Sequence, residues 1–262
     1  SAPLTAGNRR ANAGEVSFTG LKLEGLKGAH TLTFTVAEPS AFTALSDTQA
    51  LELTPGTATN LNVVQQPTDS IANIAFSPVV SVEVRDAWNN RVTQDAAAIK
   101  PVLVDAVTVA TELDSSKSAV ATNEGLVTFT GLSFTKAAAA KLRFDATGLT
   151  SIYSSQFTIT HGEAHHLAWT TIEPTTVRSG FVIQPTPIFA VRDQWNNPVT
   201  TGPATTVTAS VSSANFGDVV SIAGATESTS GTESITFDEL ALTAKAANYK
   251  LRFTAANSGK AI

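Results

Sequence analysis

The chain has 262 residues, 42% hydrophobic and 15% charged, enough to bury one large core or two to three small ones and too apolar for a disordered acidic tail. Its 22 acidic against 17 basic residues leave a net charge of −5, which argues against a nucleic-acid groove or an anionic membrane surface as partner. Cysteine is absent, and with it disulfides, thiolate metal sites and a cysteine nucleophile.

The chain opens without a charged start, apolar core and cleavage site, so no secretion signal is expected in this segment, and no apolar run approaches the roughly 18 residues that span a bilayer. The first predicted elements are the strands of EVSFTGLKLEGLKGAHTLTF at 15–34, followed by a closing L-E-L strand that ends at Leu53. From residue 55 a fuller series begins. Val80, Val82 and Val84 alternate with Ser81, Glu83 and Arg85, a period of two that predicts one buried and one wet face. Val127-Phe129, Leu142-Phe144 and Phe157-Ile159 alternate with polar residues in the same way, and the last pair predicts a closing strand. The alanine-rich patch Lys136 to Lys141 is too short to stand as a helix and is expected to turn between two strands. From residue 161 the series recurs, and it stops after the K-L-R-F strand at Phe253.

That recurrence has a fixed step. VEVRDAWNNRVT at 82–93 returns as FAVRDQWNNPVT at 189–200, with Asp193 lying 107 residues after Asp86. Phe18, Phe129 and Phe237 correspond, as do Leu21, Leu132 and Leu240, and Phe34, Phe144 and Phe253. Gly56 and Gly162 correspond as well. A period near 105–110 residues suits an immunoglobulin-sized β-sandwich of about 100 residues and is far too long for a solenoid turn. The predicted fold class is therefore all-β, tandem immunoglobulin-like β-sandwich domains. The expected domains are residues 1–54 (the C-terminal half of a repeat), 55–160 (a complete repeat) and 161–262 (a repeat lacking its last strand).

The duplicated phrase falls where a central strand ends and the chain reverses. Asn89-Asn90 and Asn196-Asn197 suit that bend, because Asn tolerates left-handed backbone angles. Asp86 and Asp193 are placed to accept backbone N–H groups of the same turn, and Trp88 and Trp195 to lie over the end of the sandwich. These eight residues are expected to determine the fold as a structural corner.

The order of a G-x-A-x-x-L opening strand, V-x-V-x-D-x-x-N-N-x-V, V-T-F-x-G-L, a K-L-x-F strand and a closing F-x-I resembles the bacterial Ig-like (Big-type) domains strung along large surface proteins, including intimin- and invasin-type adhesins and surface-layer proteins. In that family the turn is usually D-x-x-G-N, and here Trp-Asn-Asn replaces the glycine version. The resemblance implies a non-enzymatic, extracellular protein whose repeats form a stiff stalk on a bacterial surface. Its partners would be neighbouring repeats or copies of itself, or a cell-surface glycan or host receptor, with no nucleic acid and no membrane insertion. Two alternatives stand beside the stalk. One is a subunit of a surface layer or filament completed by strand pairing between subunits. The other is a glycan- or receptor-binding module using Trp88, Trp169 and Trp195, although repetition of two of these at equivalent positions is what packing predicts.

Catalytic and cofactor signatures are missing: there is no P-loop, G-x-G-x-x-G, G-x-S-x-G or H-E-x-x-H. His161, Glu163 and His165 of HGEAHH would share one side of an extended segment and are weak candidates for a transition metal. A solvated polar junction is the simpler expectation, since the matching TPGTATN has no such residues. Calcium, which the family resemblance brings with it, would need converging carboxylates, and no D-x-D-x-D cluster offers them. No N-x-[ST] acceptor occurs.

Overall fold

In the computed structural model, residues 4–5, 9–36, 46–94, 96–213, 220–229, 234–257 and 260–261 are described, and all regular elements among them are β-strands. The all-β class follows from the period-two alternation and is observed. Two compact units divide the chain. One takes Ser1–Thr68, Phe76–Leu132 and Ala140–Gln156, and the other Asp69–Ala75, Ser133–Ala139 and Phe157–Ile262.

In the first unit the Ser81–Asp86 strand lies between Ala58–Gln65 and Leu126–Thr128, antiparallel to both. A second sheet centres on Ala98–Asp105, which pairs with Ala140 to Ala146 of the Ala138–Ala146 strand on one side and with Val120–Ala121 on the other. Apolar residues of both sheets are buried, and the Phe129 and Phe144 rings stack with centroids 5.6 Å apart. Such burial stabilises by about 25 cal/mol for each Å² of apolar surface removed from water.

The second unit repeats the arrangement. Ile188–Asp193 lies between Ala164–Trp169 and Ser234–Thr236, and Thr205–Ser213 lies between Thr226–Thr229 and Tyr249–Asn257. Phe189, Val191 and Ile235 of the first sheet share one core with Val207, Ala209 and Ala255 of the second, which makes this a sandwich. The correspondence extends to an irregularity. The Ala58–Gln65 strand shifts register between Ala58 and Asn60, and Ala164–Trp169 shifts between Ala164 and His166, each beside the aspartate that ends the central strand. A β-bulge at the same point in both units bends the edge strand there.

Three expectations need correction. The outward face of Ser81–Asp86 is not wet. Ser81 and Glu83 are buried, because this strand is central and Glu83 pairs with Arg85 and accepts from Asn62 Nδ2 at 3.1 Å. The alanine-rich patch is not a turn from end to end. Strand Ala138–Ala146 begins inside it, and Ala140 is fully buried, held in the ladder opposite Asp105. Residues 16–18, expected as a strand, form no ladder. Val16 and Phe18 are exposed there, although the equivalent Val127 and Phe129 are core.

Candidate functional site

The Asp-x-Trp-Asn-Asn corners form the most elaborate polar sites among the described residues, and each is built from the backbone upward. At Asp86 the strand ends and the chain turns: Asn89 N–H donates to the Asp86 carbonyl at 3.0 Å, and Asp86 N–H to the Asn90 carbonyl at 3.0 Å. Asn89 has φ 67°, the left-handed region that few residues other than Gly and Asn adopt readily. That explains how Asn can hold a position that would suit glycine. The second corner follows the first: Asn196 N–H to the Asp193 carbonyl at 3.1 Å, Asp193 N–H to the Asn197 carbonyl at 3.0 Å, and φ 67° at Asn196.

The buried carboxylates are saturated. Asp86 Oδ1 accepts the N–H groups of Trp88 (2.9 Å) and Asn90 (2.8 Å), while Oδ2 accepts Gly56 N–H (2.8 Å) and Asn90 Nδ2 (2.9 Å). Asp193 accepts Trp195 N–H (2.9 Å) and Asn197 N–H (2.8 Å) on Oδ1, and Gly162 N–H (2.8 Å) and Asn197 Nδ2 (2.8 Å) on Oδ2. Burial pushes both carboxyls up. The Asn side chain and the three N–H donors together outweigh it and hold each below its ordinary value. With two donors on each oxygen, these aspartates have no lone pair left for a cation.

Asn90 and Asn197 reach further than a turn requires. The second Nδ2 hydrogen of Asn90 bonds the Gly25 carbonyl at 2.9 Å, and its Oδ1 accepts Lys27 N–H at 2.7 Å. Asn197 bonds the Thr135 carbonyl at 2.7 Å and accepts Ala137 N–H at 2.9 Å. The carboxamide thus clamps a carbonyl and the N–H two residues on, a pairing that fixes its orientation because Nδ2 faces only acceptors. Both clamped loops follow the V-T-F/V-S-F stretch in sequence, at equivalent places. Each clamp closes within one compact unit, Gly25–Asn90 in the first and Thr135–Asn197 in the second.

The corner was legible in the sequence and the clamp was not. The signal lay in the doubled Asn: one residue per turn needs positive φ, so a second, buried Asn in both copies requires another task. Gly56 and Gly162, noted only as matching positions, present their N–H groups to the aspartates, and a Cβ on Gly162 would come within 2.9 Å of the Trp195 ring. Trp195 is half-buried over that glycine, whereas Trp88 is exposed. Trp169 packs in the core at 4.3 Å from the Phe189 ring centroid.

Among the described residues no three His, Asp or Glu side chains come together as a metal site. His161 has both ring nitrogens engaged, Nδ1 with the Gly162 carbonyl (2.7 Å) and Nε2 with Thr201 N–H (3.2 Å), while His165 stands edge-on to His166.

No family model and no curated protein matches the chain. Among solved structures, that of FdeC, described as a broadly conserved Escherichia coli adhesin eliciting protection against urinary tract infections, aligns with 92% of this chain and 73% of its own, at 17% identity and a TM-score of 0.35. A likeness at that level carries no argument about either fold or role.

Proposed function

We propose that the chain is a non-enzymatic structural segment of a bacterial cell-surface protein, in which tandem Ig-like repeats form a stiff stalk that carries an adhesive function outward. The observation that carries this reading is the duplicated clamp. Two corners 107 residues apart make the same six side-chain bonds, with no corresponding pair differing by more than 0.2 Å. The repeats, in this reading, run over residues 1–54, 55–160 and 161–262, and each corner grips a loop of the preceding repeat. A buried carboxamide with both N–H donors and its oxygen engaged favours one geometry over many, which is what a stalk needs and a flexible tether does not. Catalysis finds no support in the site, whose titratable groups are fully engaged with backbone and carboxamide.

The test exploits the absence of native cysteine. Paired nitroxide labels at Gln49→Cys and Ser118→Cys are expected to give a narrow distance distribution that broadens in Asn90→Ala. A broad distribution in the unaltered chain overturns the stiff stalk. Antibody labelling of intact cells tests the surface location.

A second reading has an observation of its own. Val16, Phe18 and Phe34 are 43%, 37% and 37% exposed, while their counterparts Val127, Phe129 and Phe144 are buried. An apolar face left open in this way supports assembly with another copy. Concentration-dependent light scattering decides it, since a stalk segment stays monomeric.

A further inference from the structure

We infer that a third clamp site, empty of any corner, lies at Ala244–Ala246, and that its occupant is the Asp-x-Trp-Asn-Asn corner of a further repeat following in the same polypeptide. The register comes from the chain itself. Gly25 and Lys27 stand nine and seven residues before Phe34, Thr135 and Ala137 nine and seven before Phe144, and Ala244 and Ala246 nine and seven before Phe253, with His30 and Tyr249 each four before theirs.

The loops are braced alike. The His30 ring bonds the Leu26 carbonyl through Nε2 at 2.8 Å, and the Tyr249 hydroxyl donates to the Lys245 carbonyl at 2.9 Å, each reaching back four residues to the middle of its loop. On the other side Ala244 N–H donates to Ser179 Oγ at 3.0 Å, and Gly180 N–H to the Leu242 carbonyl at 2.9 Å. The matching bond under the second loop runs from Asn73 N–H to the Phe134 carbonyl at 2.7 Å. The Ala244–Ala246 loop is thus held in place by its own unit.

What differs is the grip. In the first loop the outward carbonyl and N–H, those of Gly25 and Lys27, meet Asn90. Among the described residues the corresponding Ala244 carbonyl and Ala246 N–H meet no donor or acceptor. A hollow lined by Val177, Ser179, Leu242 and Ala247 adjoins the loop.

The occupant is identified by chemistry and by connectivity. A carbonyl and an N–H two residues apart are matched by a primary carboxamide, and both filled examples use the second Asn of the motif. In those examples the Asn lies 65 and 62 residues along the chain from the carbonyl that it binds. Asn90 and Asn197 are already engaged, so a second copy of the chain would have to break a clamp to fill this one. A following repeat would not.

This inference rests on the tandem-repeat reading, and its test separates the two. Residues 1–257 are joined directly to a copy of residues 149–262, which supplies a closing strand and one added corner in the native spacing. Amide hydrogen exchange is followed at Lys27, Ala137 and Ala246. Ala246 is expected to exchange at least tenfold more slowly in the extended chain than in the original, and Asn197→Ala in the added copy alone is expected to restore the original rate. Unchanged exchange at Ala246 while Lys27 and Ala137 stay protected overturns the third clamp and leaves the stalk reading standing. Protection that survives Asn197→Ala in the added copy overturns it also, because the carboxamide is then not its source. Loss of protection at Lys27 and Ala137 in the unextended chain overturns the clamp altogether and the stalk with it.

Discussion

One buried carboxylate organises each corner through four donors, so its removal has a larger effect than loss of a surface charge. Asp193→Asn keeps the shape but turns an acceptor into a donor among converging N–H groups, and is expected to cost about 2 kcal/mol by urea denaturation. Asn197→Ala leaves the Thr135 carbonyl and Ala137 N–H unmet and is expected to cost about 1–3 kcal/mol, with faster exchange at Ala137. Asn197→Asp is the sharper test. It sets a second carboxylate 2.8 Å from Asp193 Oδ2, where like charges disfavour double ionisation. This variant is expected to be weakest at neutral pH and to regain stability on mild acidification, as the pair takes up one proton. Calcium or a chelator is expected to leave the unfolding temperature unchanged, because the aspartate oxygens are already filled. The four letters D, W, N, N announced a turn and a cap in the sequence. They did not announce the clamp, because a side chain that bonds a loop 65 residues away leaves no local periodicity.

At the level of elements, equivalent sequence does not mean equivalent burial. Phe129→Ala removes a ring stacked on Phe144 and is expected to cost about 3–5 kcal/mol. Phe18→Ala at the matching position is expected to cost under about 1 kcal/mol, since its ring touches Phe34 on an open face. Equal costs would show that the face around Phe18 is covered in solution. Gly125 (φ +71°) approaches the Val92 backbone so closely that a Cβ would overlap its carbonyl oxygen. Strands with clean alternation, Phe157–Thr160 among them, were legible because one face is dry and one wet. Ser81–Asp86 was misjudged because a central strand hides its polar side too, and the alanine-rich stretch because a run of alanines carries no alternation to mark the strand that pairs Ala140 with Asp105.

For the whole molecule, the two depressed carboxyls give a common response to pH. Their folded values lie below the unfolded ones, so the stability that they contribute is complete above the ordinary carboxylate range and is lost as pH falls through the folded values. Chemical denaturation midpoints are expected to hold between pH 7 and pH 5 and to fall towards pH 2. The fall is expected to be smaller in Asp86→Asn/Asp193→Asn, and an equal fall would place the acid sensitivity elsewhere.

The clamp also has a direction. Its two halves, a carboxamide and a carbonyl–amide pair, lie on different parts of the repeat and are not self-complementary. Between successive repeats a contact of this kind is heterologous: it joins unlike faces, head to tail. In the proposed stalk, repeats held in this way follow one another in one sense along the chain. Closing such a series into a ring would require a steady rotation at every joint.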